Sequence, residues 1–251
     1  MNTFNTPHHS LALSEDGTYT AYSKEYAQHY HSTKDGALHE SLVKHVIPAF
    51  KYSKNKNEIK ILDICFGLGF NVLATLHYAT LKNIHQKIYI YSPELDSELV
   101  SSLNNFTYPK EFTIFEHIIK ALLEEGIYDD ATFHIELFLG DAREYIQKFS
   151  ENTFDIVYQD AFSPDANPSL WTKEYFKDIQ KIMKEDGILT TYSIALATRI
   201  ALYENEFLVY LNEGKDFRAS TLASLSNIEE LSEVNVEHKM KCNPQRTSLR
   251  D

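Results

Sequence analysis

The chain has 251 residues, 43% of them apolar, and sets 24 Lys and Arg against 36 Asp and Glu for a formal net charge of −12. That length supports a substantial core, while the acidic balance argues against non-specific nucleic-acid binding, which needs clustered cations on phosphates. Two isolated cysteines, Cys65 and Cys242, exclude a disulfide framework or a zinc knuckle. The opening residues carry no basic-then-apolar leader and no stretch is long and apolar enough to span a bilayer, so a cytoplasmic protein without membrane attachment is expected.

In chain order, residues 1–58 hold the Tyr-rich alternating stretch "TYTAYSKEYAQHYHS" and the helical "ALHESLVKHVIPAF". They read as an N-terminal extension, a small hairpin and a helix beside the main domain. Residues 59–251 form that domain, in which short apolar runs alternate with helical stretches, the pattern of an α/β sheet with crossover helices. "IKILDIC", "KIYIYSP", "FHIELFLGD", "TFDIVYQD" and "DGILTTYS" read as strands; "FNVLATLHYATLK", "SELVSSLNNF", "AREYIQKF" and "LWTKEYFKDIQKIMK" read as the helices between them. "FLVYLNEGKDFRASTLAS" closes the sheet as a hairpin, giving seven strands, and 110–130 reads as an inserted helix. Basic candidates for a local patch are 51–60 and the tail "HKMKCNPQRTSLRD"; the plain alternative for each is a solvated face.

Ligands of open parallel sheets bind beyond the carboxyl ends of strands. "LDICFGLGFN" ends a strand near Asp63 and turns through Gly67 and Gly69. Cys65 and Phe70 fall where a dinucleotide fingerprint wants glycine, which weakens an NAD or FAD reading. Glu94 ends the second strand, where an acid accepts ribose hydroxyls or serves the N-terminal region of the next helix. Asp141 ends the third, placed for an adenine amino group or for an N-cap. Asp160 ends the fourth and leads into "AFSPDANPSLWT", with two prolines and the only tryptophan.

Glycine turn, ribose acid and adenine acid in that order resemble the class I S-adenosylmethionine methyltransferases, a Rossmann-like α/β fold. More narrowly, "DAFSPDANPSLWT", "YHSTKDGALHES", "CFGLGFN" and "GILTTYS" resemble the MnmC-type tRNA wobble-uridine methyltransferases over most of the chain. The chain departs from that family at Cys65, where glycine is common, and in a less basic carboxyl end. The resemblance implies S-adenosyl-L-methionine as cofactor, held by Asp63, Gly67, Gly69, Asn71, Glu94, Asp141, Ala142 and Asp160. It implies tRNA as partner and methylation of the aminomethyl nitrogen of 5-aminomethyl-(2-thio)uridine. No residues are left for the flavin oxidase that some members carry, so methyl transfer only is expected, with a separate oxidase as a candidate partner in the same pathway.

Asp160 is the expected catalytic residue. An alkyl amine with pKa near ~10.4 is protonated at neutral pH, and freeing its lone pair costs roughly 4 to 5 kcal/mol. A carboxylate alone favours the charged amine. Desolvation by Phe162 and Trp171 is expected to lower the amine pKa while Asp160 accepts an N–H and receives or relays the proton. Tyr30, Phe162, Asn167 and Trp171 are the expected substrate contacts, Trp171 by stacking on a base or, alternatively, as core packing.

Two other readings stand beside this one: a spermidine synthase-like aminopropyltransferase or small-amine methyltransferase, which an acidic protein suits, and a non-catalytic RNA-binding protein on the same scaffold. The histidines at 8–9 and 29–31 lack supporting ligands at zinc spacing, so no metal is expected.

Overall fold

The computed structural model describes Phe4, residues 6–53 and residues 56–251. Lys54 and Asn55 of the basic stretch 51–60, and residues 1–3 and 5 of the extension, lie outside the described residues. The extension forms β1 (His9–Leu13), β2 (Tyr19–Ser23), which carries Tyr19 and Tyr22, and the short β3 (Gln28–His29). Tyr22 lies opposite Ser10 on one side and His29 on the other, so the expected hairpin is a three-stranded antiparallel sheet.

A helical rod follows in three pieces: α1 (Ala37–Ser41), a π-helical turn (Leu42–Val46) and α2 (Ile47–Tyr52). Pro48 explains the π-turn. Proline offers no N–H to the carbonyl four residues back and its ring crowds that carbonyl, so the helix widens and Ile47 N–H bonds Leu42 O instead. Widened turns of this kind recur at functional sites. This one buries Lys44 and His45.

The main domain runs β4 (Glu58–Ile64), α3 (Phe70–Leu81), β5 (Lys87–Glu94) and α4 (Ser97–Ser102), then α5 (Glu116–Glu125), β6 (Ile127–Asp129) and β7 (Phe133–Leu139). It continues through α6 (Ala142–Ile146), β8 (Phe154–Gln159), α7 (Lys173–Ile182), β9 (Met183–Thr191), α8 (Leu196–Tyr203), β10 (Leu208–Asn212), β11 (Ser220–Ser224) and α9 (Val236–Cys242). The strands lie in the order β10-β11-β9-β8-β4-β5-β7-β6. The five from β9 to β7 are parallel, while β11 joins β9 and β6 joins β7 in antiparallel sense. The sheet therefore has eight strands, one more than the sequence pattern suggests. The extra edge strand, β6, hides in the tail of the inserted helix, where Gly126 at φ 75 ends α5 and turns the chain straight into it.

Alternation within the strands splits the core between two faces. Ile61, Ile90 and Ile156 pack under α3 and the helical rod, while Leu62, Val157 and Leu189 pack under α6, α7 and α8. Chain order reverses at β4, flanked by β5 and β8, which makes the crevice beyond those carboxyl ends the switch point where ligands bind. Among the described residues no helix is long and apolar enough to cross a membrane.

Candidate active site

A cavity of about 1340 Å³ opens at that switch point. Its floor is the turn after β4, where Cys65, Gly67 and Gly69 all have positive φ, at 71°, 54° and 77°. Glycine adopts that conformation freely; Cys65 holds it despite its side chain, at the place where a glycine is the usual residue of such turns. A Cβ on Gly67 would sit 3.2 Å from Tyr30 Cδ1, so the bare turn lets the N-terminal wall close against it. Gly69 starts α3 and does not line the cavity.

The four strand-end acids differ in what they face. Glu94 lines the cavity with Oε2 accepting from Gly67 N (2.7 Å) and Oε1 from Asp96 N (2.9 Å). Burial raises its pKa against those two donors. Each carboxylate oxygen keeps a further acceptor position. Asp141 lines the cavity too and caps α6 by accepting from Arg143 N (2.7 Å), with Ala142 beside it. Both of its readings, cap and ligand acceptor, stay compatible with this position.

Asp63 departs from expectation. It is fully buried and does not line the cavity; Ser92 Oγ (2.8 Å) and Asn71 Nδ2 (3.2 Å) donate to it instead. Burial pushes its pKa from 3.8 up to about 8. The folded state then holds a proton that the unfolded chain releases above pH ~4. This stabilisation is complete below the unfolded pKa and is lost as pH rises towards 8. Asp63→Asn should accordingly lose less stability than the parent between pH 5 and pH 8 in urea unfolding; equal losses would rule out a protonated Asp63.

Asp160 is held the other way. Its side chain is 16% exposed at the cavity wall, Asn71 Nδ2 donates to Oδ2 at 2.9 Å, and His45 Nε2 stands 3.4 Å from Oδ1. Burial raises its pKa, but His45, His31 and Asn71 together outweigh that and hold the carboxyl below its ordinary value. One amide, Asn71, thus joins a protonated and an ionised acid. Its Oδ1 is buried without a partner among the described residues.

The loop after Asp160 forms one wall with the N-terminal sheet. Phe162 stacks on Tyr26 (4.5 Å between centroids) and meets Tyr30 at 4.9 Å. Ser163 N donates to Gln28 Oε1 (3.1 Å) and Gln28 Nε2 donates to Ser163 Oγ (2.5 Å). Asn167 lines the cavity, its Oδ1 accepting from Ser169 Oγ. Trp171 takes the core alternative: it is fully buried, its Nε1 donates to Phe162 O at 2.7 Å, and its ring packs on Phe176 and Tyr192. It anchors the loop from behind and offers no face to a base.

The "YHS" motif suggests His31 beside Tyr30 as a pocket-lining residue, whereas Lys44 and His45 carry no site role in the sequence reading. His31 lines the cavity on Phe70, and Lys44 lines it with Nζ 2.5 Å from Glu40 Oε1. The signal was present in "ALHESLVKHVIPAF", where Lys and His interrupt an apolar helix face ahead of a proline. In the basic tail, Lys241 and Arg250 pair with Glu237 and Glu174, so those cations serve the protein's own acids.

Residues 110–225 match a family described as S-adenosyl-L-methionine-dependent methyltransferase. An uncharacterized protein of Methanocaldococcus jannaschii is 35% identical over 205 residues, covering 80% of this chain and 55% of that protein. The tRNA 5-methylaminomethyl-2-thiouridine biosynthesis bifunctional protein MnmC of Azoarcus sp. is 29% identical over 215 residues, covering 80% of this chain and 33% of that protein. The chain thus spans about half and a third of these relatives. The crystal structure of MnmC2 from Aquifex aeolicus superposes with a TM-score of 0.83 at 31% identity, covering 97% of this chain and 79% of that one. A probable spermidine synthase from Corynebacterium glutamicum, TM-score 0.57 at 11% identity over 97% and 92% of the two chains, shares the fold.

Proposed function

Because the chain belongs to the MnmC-type S-adenosyl-L-methionine-dependent methyltransferases, we propose that it methylates the aminomethyl nitrogen of a wobble 5-aminomethyl-(2-thio)uridine in tRNA. The observation that carries this reading is Asp160, an ionised carboxylate at the cavity wall, backed by Asn71 and His45 and roofed by Phe162. The residues present fit the cofactor. S-adenosyl-L-methionine carries two cationic centres and several donors, and the cavity offers it acceptors: Glu94, Asp141 and the unpartnered Asn71 Oδ1. Gly67 and Ala142 complete the set that would hold it.

When bound, the cofactor supplies a methyl group activated on a sulfonium. The protein's part is to present a neutral nitrogen to it. Tyr26, Tyr30 and Phe162 exclude water and make the charged amine costly, while Asp160 accepts one N–H and fixes the direction of the lone pair. Residues 1–58 serve as the substrate wall of the 59–251 domain. The exposed cations Lys34 and Arg218 on the cavity lining are where phosphates meet an otherwise acidic protein.

The test is radiolabelled methyl transfer to tRNA bearing 5-aminomethyl-2-thiouridine, to tRNA without the modification, and to putrescine. Label in the first alone supports the reading; label in putrescine alone replaces it with a small-amine activity. A change at Glu94 reports on the cofactor separately. Glu94→Gln turns a donor towards Gly67 N or Asp96 N and removes a charged acceptor, worth about 1.5 to 3 kcal/mol. Calorimetry should show S-adenosylhomocysteine binding weakened by about 10- to 100-fold, and undiminished affinity would take Glu94 out of the cofactor site.

A further inference from the structure

An acid that stays ionised beside an ammonium group does not keep the proton it receives, so a methyl acceptor that arrives charged needs a second place for that proton. The cavity wall offers one. His45 is fully buried in the π-turn and does not line the cavity. Its Nε2 stands 3.4 Å from Asp160 Oδ1 without hydrogen-bond geometry and has no hydrogen-bond partner among the described residues. Its Nδ1 lies 2.8 Å from Thr190 Oγ1, on the "TT" of β9, and its ring edge meets Tyr158 at 5.7 Å.

We propose that His45 is the positioning residue of Asp160 and the second station for the proton that the substrate amine gives up. The proposal rests on the amine methyl-transfer reading. With Thr190 Oγ1 accepting from Nδ1–H, Nε2 turns its lone pair towards Asp160 before the transfer, and the hold of His45 on the carboxyl described above belongs to the imidazolium formed after it. The N–H bond of the ammonium breaks with its electron pair staying on nitrogen, and the proton joins a carboxylate oxygen of Asp160. That O–H bond then breaks as Nε2–H forms, so the carboxylate is restored beside an imidazolium and the amine is neutral. The proton returns to solvent through Asp160 once the product has left.

The surroundings suit a group that gains and loses charge. Asp160 and Tyr158 face His45 from β8 and Thr190 from β9. His31 is near enough to Asp160 to feel its charge, but burial lowers its pKa and so keeps it a weak competitor for the proton. On its own rod, Lys44 is already paired with Glu40. The π-turn is what makes the placement work: it presents Lys44 to the cavity and its neighbour His45 to the back of the carboxylate.

His45→Gln keeps a polar group near Asp160 but accepts no proton. With tRNA bearing 5-aminomethyl-2-thiouridine, kcat should fall by about 10²-fold, KM should stay within about threefold, and the acid limb of the kcat–pH profile should move to higher pH, because the amine then loses its proton only by its own ionisation. A variant with parental kcat and an unchanged acid limb overturns the proposal. A second measurement needs neither substrate nor that variant. In protein labelled with ¹⁵N-histidine, the His45 Nε2 resonance should shift on Asp160→Asn, because the group facing that nitrogen has changed. A His45 Nε2 resonance indifferent to Asp160→Asn also overturns it. Should the parent methylate no amine, the substrate reading falls, and the NMR result still decides whether the pair is in contact.

Discussion

Asp160→Asn lowers the rate constant of methyl transfer by on the order of 10³-fold while S-adenosylhomocysteine affinity stays within about threefold, measured by single-turnover transfer and by calorimetry. The direction follows from what Asp160 touches. Its carboxylate stands at the cavity wall with Asn71 and His45 behind it, so the lost charge is felt by the incoming nitrogen. An asparagine still fills the space and still offers an acceptor oxygen. It receives no proton, and removing a positioned acid–base group costs typically 10² to 10⁴ in rate. Equal losses of rate and affinity would assign Asp160 to cofactor binding instead, and an unchanged rate would remove it from the chemistry altogether.

Trp171→Ala should destabilise the fold by about 3 to 5 kcal/mol, the usual cost of emptying a large buried aromatic site. Two contributions add. The ring leaves a void between Phe176 and Tyr192, and Phe162 O loses the indole donor that satisfies it. Trp171→Phe separates them: it refills most of the void and forfeits only the hydrogen bond, so urea unfolding should place it about 1 to 3 kcal/mol below the parent. If Trp171→Ala costs less than 1 kcal/mol and weakens tRNA binding instead, the ring belongs to the substrate surface.

The parallel strands were legible because sheets buried on both faces demand continuous apolar runs, and five such runs stand out between helical stretches. The acids Glu94, Asp141 and Asp160 were legible for the same reason, since each ends a run. Asp63 shows the limit of that logic. It ends a strand like the others, but side-chain alternation turns it inward, and only its contacts with Ser92 and Asn71 distinguish a buried proton carrier from a ligand contact. His45 was legible as a break in an apolar helix face, but its role was not, for a different reason. Nothing in "LVKHVIP" tells which strand tip a helix will lie across, and its meaning arises from Asp160 and Thr190, far along the chain. The edge strand β6 was missed because three residues after a helix cap carry too short a pattern to count.

Gln28 reaches across from β3 to grip both the amide and the hydroxyl of Ser163. β3 and the proline-bearing segment are therefore tied together at this point. If the guest is the nucleoside proposed above, a load on Tyr26 or Tyr30 is passed through their contacts with Phe162 to the segment that follows Asp160.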